Sequence, residues 1–81
     1  MKAGAVRKLA AERTLQELEN AANSIIEHET DLFDVEGEDM GERLTHIMLA
    51  ARVRARTDLG EDPKEAFRAE MAAVREVLTN E

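Results

Sequence analysis

The sequence predicts an all-α protein of three antiparallel helices, over about residues 3–33, 40–59 and 63–79, which we expect to pair with a second copy into a dimeric helical bundle. Ala, Glu, Arg and Leu, which lose little freedom in a helix, dominate the 81 residues, against one Pro and four Gly. Apolar residues recur at the helical period. Two cap signals, DMGE and DPKE, mark helix starts. We expect a single helical domain over residues 1–81.

The first predicted helix, about residues 3–33, rests on one apolar stripe. Residues 1–10 precede this stripe and are expected either to extend the helix or to fray from it. The acidic segment 34–39, which contains Gly37, is expected to end the helix. Steps of about 100° per residue place the following apolar residues on one side: Ala11, Leu15, Leu18, Ala22, Ile25, Ile26, Leu32 and Phe33.

Capping residues bound the second and third helices. In DMGE, Asp39 is expected to cap the free amides of the second helix, and Glu42 reaches back to close a capping box. Gly60 supplies the left-handed conformation that commonly ends a helix. DPKE repeats the start signal, with Asp62 as the cap and Pro63 at the first helical position.

The second helix is apolar on two sides. Leu49 and Val53 fall outside its main apolar face, in a column with Glu42 and His46. A helix that is apolar on two sides needs two neighbours, and the long first helix would overhang the other two. We therefore expect the column Glu42, His46, Leu49 and Val53 to form an interface, and a homodimer is favoured over a monomer. The main face holds Met40, Leu44, Ile47, Met48, Ala51 and Ala55.

Acidic residues are concentrated in one part of the chain. Ten carboxylates and no Lys or Arg lie between residues 14 and 42. Closely spaced surface carboxylates can imitate the charge density of nucleic acid. The alternative is a solvated face that keeps a small protein soluble. The residues expected at this acidic surface are Glu19, Glu27, Asp31, Asp34, Glu36, Glu38 and Asp39.

Arginines follow the acidic part. Residues 43–56 contain four arginines and no acid. If the first two helices form a hairpin, Arg54 and Arg56 lie level with Glu19 and Glu17, so ion pairs across the hairpin are the favoured interpretation. The alternative is a helix-turn-helix in which Arg52, Arg54 and Arg56 contact phosphates.

Two glutamates, Glu29 and Glu70, fall inside apolar stripes. A carboxylate buried there must be paired, protonated or bound to a cation. Together with Glu42 and His46 they are the metal candidates of the chain, but the Glu-x-x-His pair of di-metal bundles is missing. We expect no metal and no cofactor. The more economical partners are arginines: Arg43 for Glu29 and Arg54 for Glu70.

Composition excludes several classes of function. The chain has no Cys, which excludes a disulfide framework and a thiolate site. Its net charge of -7 disfavours direct binding to nucleic acid or to an anionic membrane. No apolar run approaches the roughly 20 residues that span a bilayer, so we expect a cytoplasmic protein. No nucleophile-base arrangement and no phosphate-binding loop is visible.

Three hypotheses for the function remain. The leading one is a small acidic interaction or regulatory module that is not an enzyme, associates with itself and acts through helix faces. The second is an acidic mimic of nucleic acid, of the phage or plasmid type, that inhibits a protein with a basic surface. The third is a metal-dependent all-α hydrolase. No motif is specific enough to indicate a family.

Overall fold

Four α-helices make up the part of the chain that a computed structural model describes, residues 2–79, with side chains through residue 75. The helices are α1 (Ala3–Glu12), α2 (Leu15–His28), α3 (Met40–Asp58) and α4 (Pro63–Thr79). Residues 2–79 contain no strand, so the predicted all-α class is confirmed. The first predicted helix, however, is two helices. Residues 3–10 neither fray nor extend α2, because they form most of a separate helix.

The break between α1 and α2 is set by Thr14. Arg13 and Thr14 are both extended, and the Thr14 hydroxyl accepts a hydrogen bond from the Glu17 amide at 3.1 Å. The Glu17 carboxylate accepts from the Thr14 amide at 2.9 Å, which completes a capping box. The apolar stripe runs through this point without interruption, so periodicity alone predicted one helix where the cap starts a second one.

The connection from α2 to α3 is an ordered loop built around Asp31. Glu29 ends α2 in the left-handed conformation, with φ of 53°. The Asp31 carboxylate then accepts hydrogen bonds from the Phe33 amide at 3.1 Å and the Val35 amide at 2.6 Å. Arg43 of α3 reaches the same carboxylate at 3.5 Å, and the Asp31 side chain is only 4% exposed. This loop carries Val35 into the core.

The remaining helix ends carry the predicted caps, but the capping box predicted for Glu42 does not form, because its carboxylate accepts from the Glu38 amide instead of the Asp39 amide. Asp39 caps α3 by accepting from the Glu42 amide at 2.8 Å. Gly60, with φ of 105°, follows the last turn of α3 in the left-handed conformation. Its amide and that of Glu61 donate to carbonyls of the preceding turn, as in a Schellman motif. Asp62 accepts from two amides at the start of α4. The predicted caps Asp39 and Asp62 and the predicted stop at Gly60 are confirmed.

Helix α3 is the centre of the packing, since α1, α2 and α4 each pack against it. Leu49 and Val53, the second apolar side predicted for this helix, are buried together with Ile47 of the main face, whereas Met48 of the main face is half exposed. The long first helix that was expected to overhang is instead two helices, α1 and α2, each of which packs on α3. The buried core consists of Val6, Ala10, Leu18, Ala21, Ile25, Val35, Ile47, Leu49, Ala50, Val53 and Ala66.

Replacing Thr14 by Ala tests the break between α1 and α2. Loss of the hydroxyl leaves the Glu17 amide uncapped, so the free energy of unfolding should fall by about 1 kcal/mol. Urea denaturation measures this change. Thr45→Ala is the matched control, because the Thr45 hydroxyl bonds only to a carbonyl of its own helix. Equal effects of the two substitutions would contradict a role for the capping box.

Candidate functional site

The column predicted as an interface lies inside the single chain. His46, Leu49 and Val53 are 0%, 7% and 3% exposed. Glu42 stands at the first turn of α3, where its carboxylate accepts from the Glu38 amide at 3.0 Å. This hydrogen bond lowers the pKa of Glu42. The apolar residues on which the dimer prediction rested are therefore covered by α1, α2 and the loop before α3.

His46 ties three separate parts of the chain together. Its Nε2 accepts a hydrogen bond from the Lys2 amide at 3.0 Å, and its Nδ1 lies 2.6 Å from the Glu36 carbonyl oxygen. An amide can only donate and a carbonyl can only accept, so the ring is neutral with its proton on Nδ1. Both ring nitrogens are occupied by the backbone, which leaves neither for a metal or for proton transfer.

Three of the seven acids predicted at the surface have structural partners. Asp31 is buried in its loop, which corrects its assignment to an acidic surface. Glu36 pairs with Lys2 at 2.8 Å, and Asp39 caps α3. The hydrogen bond and the charge of Lys2 lower the pKa of Glu36. The other four acids, Glu19, Glu27, Asp34 and Glu38, are exposed.

The arginines of α3 pair with acids, but not with those of α2. Arg52 donates to the Glu70 carboxylate at 2.6 Å and Arg56 donates to it at 3.2 Å. Glu70 is 3% exposed, so this double pairing supports its burial between α3 and α4. Burial opposes the charge of Arg56, but the carboxylates of Glu61 and Glu70 outweigh it and raise the pKa of the guanidinium. Arg54 bonds to Asp58 and to the Ala10 carbonyl.

Both specific pairs predicted for the stray glutamates are therefore wrong. Arg43 pairs with Asp31 instead of Glu29, and Glu70 is held by Arg52 and Arg56 instead of Arg54. The general expectation that Glu70 binds arginine holds. Glu29 is exposed at the end of α2. The four metal candidates do not converge on one point. Glu29 ends α2 and Glu70 lies between α3 and α4, whereas Glu42 and His46, one turn apart on α3, bond to different backbone groups.

Five cations form no ion pair with any described residue. Of the 11 Lys and Arg residues, six contact carboxylates: Lys2, Arg13, Arg43, Arg52, Arg54 and Arg56. The remaining five are Arg7, Lys8, Lys64, Arg68 and Arg75. Four of these five, all except Lys8, line one surface depression between α1 and α4.

This depression, which we call the α1–α4 groove, exists because the two helices pack on α3 while barely touching each other within the described residues. Phe67 borders all three of its sections. The largest of its three sections by volume measures about 570 Å³. Phe67, Met71 and Val74 are half-buried on the α4 side. Small residues on α1, among them Ala3 and Ala11, leave the groove open.

Cations border the apolar residues of the groove. Arg7 lies over the Phe67 ring, with 4.7 Å from its guanidinium carbon to the ring centroid. Lys64, Arg68 and Arg75 fall within about 40° of one another on α4 at 100° per residue, beside the apolar residues. The described residues that line the sections around Arg68 include no acid. The groove is thus apolar along its length and locally basic.

Residues 1–79 match the model of a protein family described as a family of unknown function, DUF6952. The chain belongs to the DUF6952 family. The match includes α1 and α4, so both walls of the groove lie within the DUF6952 region. No curated protein and no solved structure is detectably similar to the chain.

Two further observations concern the described part of this DUF6952 chain. None of the helices within residues 2–79 combines the length and the apolar character that crossing a bilayer requires. In the same residues, no three His, Asp or Glu side chains come together as a metal site would need.

Sequence reasoning missed the groove although one signal was present. Phe67, Met71 and Val74 recur at helical spacing. Arg68 and Arg75 directly follow Phe67 and Val74 in the sequence, so they lie along the edge of this stripe. That pattern shows an apolar stripe with a basic edge. It does not show that α1 stops short of covering the stripe, because this depends on the separate docking of α1 on α3.

Replacing His46 by Phe tests its role in holding α1. The ring volume is retained, but the Lys2 amide and the Glu36 carbonyl lose their partner, so the free energy of unfolding should fall by about 1–3 kcal/mol. Hydrogen exchange should also accelerate in α1 relative to α2. His28→Phe is the control, because His28 is exposed. An unchanged exchange rate in α1 would contradict this role.

The Glu36–Lys2 ion pair gives a pH-dependent prediction. The pKa of Glu36 is lowered in the fold from its ordinary value of 4.5, so the pair stabilises the fold above that value and its contribution is lost as pH falls through the lower folded-state pKa. The stability difference between wild type and Glu36→Gln should therefore shrink as the pH falls below 4.5. Chemical denaturation at several pH values measures it. As the control, Glu36→Gln made in a Lys2→Met background, where the partner of Glu36 is absent, should show a much smaller trend.

Proposed function

We propose that the protein is a non-enzymatic interaction module that binds a helix of another protein in the α1–α4 groove. The observation that carries the proposal is the groove itself, in which apolar side chains stay half exposed and four cations have no acidic partner among the described residues. Pockets between helices commonly receive an amphipathic helix through residues spaced at i, i+3, i+4 and i+7. The apolar residues of α4 offer the complementary spacing.

Binding of a different protein is better supported than self-association. Both observations that favoured a dimer, an overhanging first helix and an uncovered Leu49–Val53 column, are accounted for within one chain. The groove presents cations, and a symmetric contact between two α4 helices would bring Arg68 and Arg75 toward their own copies. Like charges placed together in an interface are unfavourable.

The two alternative functions have less support. Mimicry of nucleic acid needs a dense row of free carboxylates, but Asp31, Glu36 and Asp39 are engaged within the fold. Metal-dependent hydrolysis needs ligands that converge, and His46 already has both nitrogens in hydrogen bonds to the backbone.

Site-specific photo-crosslinking in cells of the source organism tests the proposal. A photoreactive residue at Ala72, in the wall of the groove, should give one discrete protein adduct. The same residue at Asn20, which is exposed on α2, should not give it. Adding Ala3→Trp, which fills the groove from the α1 side, should abolish the adduct at Ala72.

Two outcomes would contradict the proposal. One is an adduct at Ala72 that survives Ala3→Trp, because the partner would then bind without entering the groove. The other is the same adduct from Ala72 and from Asn20, because the contact would then not be specific to the α1–α4 side of the molecule.

A further inference from the structure

We infer that the α1–α4 groove recognises an amphipathic helix of its partner that carries Asp or Glu beside an apolar stripe. The inference rests on the proposed function and specifies the chemistry of the partner. It follows from the distribution of charge over the molecule. The net charge is -7, yet the described residues that line the two sections of the groove around Arg68 include cations and no acid.

The cations of α4 form no ion pair with a described residue of their own helix. Only Arg68 has an acid of α4 at contact spacing, Glu65 three positions before it, and the two form no ion pair. Lys64 and Arg68 are themselves four positions apart, which is an unfavourable spacing for like charges on a helix. The arginines of α3 show the contrast, since Arg52 and Arg56 both bind Glu70. Cations that pair with no described acid can pair with carboxylates of a ligand.

Geometry favours a helix as the ligand. The described residues offer no sheet edge to which an extended peptide could add. Lys64 and Arg75 lie 11 positions apart, which corresponds to about 16 Å along the axis of α4, or three helical turns. A ligand helix of this length can place a carboxylate against each of the three cations, which lie about 0, 1 and 3 turns along α4. Its apolar residues would then contact Phe67, Met71 and Val74.

An anionic membrane fits the groove less well than a helix does. Phe67 and Met71 are half-buried between two helices instead of protruding, and a flat lipid surface cannot reach into a groove. The negative net charge of the chain also opposes approach to an anionic membrane. Vesicle binding is nevertheless included as an outcome of the experiment.

Peptide display provides the experiment. A library of random 16-residue peptides is selected against the full chain, and affinities of the enriched peptides are measured in solution. We expect enriched peptides to share apolar residues at helical spacing with Asp or Glu beside them. Binding should weaken as salt rises. Arg68→Glu should weaken it by about tenfold, and replacing the matching acid of the peptide by Lys should restore binding to this variant.

Lys8→Glu is the matched control. It makes the same change in net charge at an exposed cation of α1 that lies outside the groove. Its effect should stay within about twofold, since screening reduces the influence of distant exposed charges. Arg68 is exposed as well, so both variants should fold, and circular dichroism verifies this.

The outcomes separate the two proposals. Peptides that are blocked by Ala72→Trp but carry no acids would overturn the inference and leave the groove as a binding site. Enriched peptides that are insensitive to Ala72→Trp would overturn the proposed function as well. Binding of the chain to vesicles of anionic lipid that Arg68→Glu abolishes would overturn the helix as ligand. A dimer in sedimentation that Ala72→Trp converts to a monomer would assign the groove to a second copy.

Discussion

Helices α1, α2 and α4 all pack against α3 and make few contacts with one another within the described residues. The rest of the structure depends on this arrangement. A helix with a single apolar face could not pack against three neighbours. On α3, buried apolar residues are therefore combined with polar side chains that reach the other helices. His46 holds the start of α1, Arg54 holds its end through the Ala10 carbonyl, and Arg52 and Arg56 hold α4 through Glu70.

Because the other helices pack on α3, the arginines of α3 have different surroundings from the cations that border the α1–α4 groove. The arginines of α3 lie where helices meet, so each of them finds a carboxylate or a carbonyl within the chain. Arg7 of α1 and the cations of α4 border the gap between these two helices, and they form no ion pair with any described residue. Apart from Arg7, the described residues of α1 that line this gap are alanines. The openness of the groove and its basic character are thus two results of one packing arrangement.

The sequence was informative wherever a short-range interaction decides the structure. Asp39, Gly60 and Asp62 act through backbone groups at most four residues away, so their roles could be predicted from position alone. The same logic was available at Thr14 and Glu17, but the uninterrupted apolar stripe outweighed it in the prediction. Periodicity indicates which residues face a core, whereas a cap indicates where a helix begins. At Thr14 the cap begins a new helix although the periodicity continues.

Long-range partners could not be predicted in this way. Arg52 and Arg54 are two positions apart and carry the same charge, yet only Arg52 reaches Glu70. The choice depends on the angle at which α4 crosses α3. The burial of Leu49 and Val53 likewise depends on where α1 docks, and the docking of α1 depends on a bend at residues 13 and 14. The groove combines all of these contributions, so it lay beyond what the sequence alone could indicate.

The hydrogen bond between Lys2 and His46 has a consequence for the order of assembly. It joins residues 44 positions apart, whereas α2 with α3 and α3 with α4 are joined through short connections. Closing a long stretch of chain costs more entropy than closing a short one, so α1 is the helix whose docking is least favoured by proximity along the chain. The groove has two walls only after that closure. A ligand held between α1 and α4 would therefore bind only the completed fold and would shift the equilibrium of the whole chain toward it.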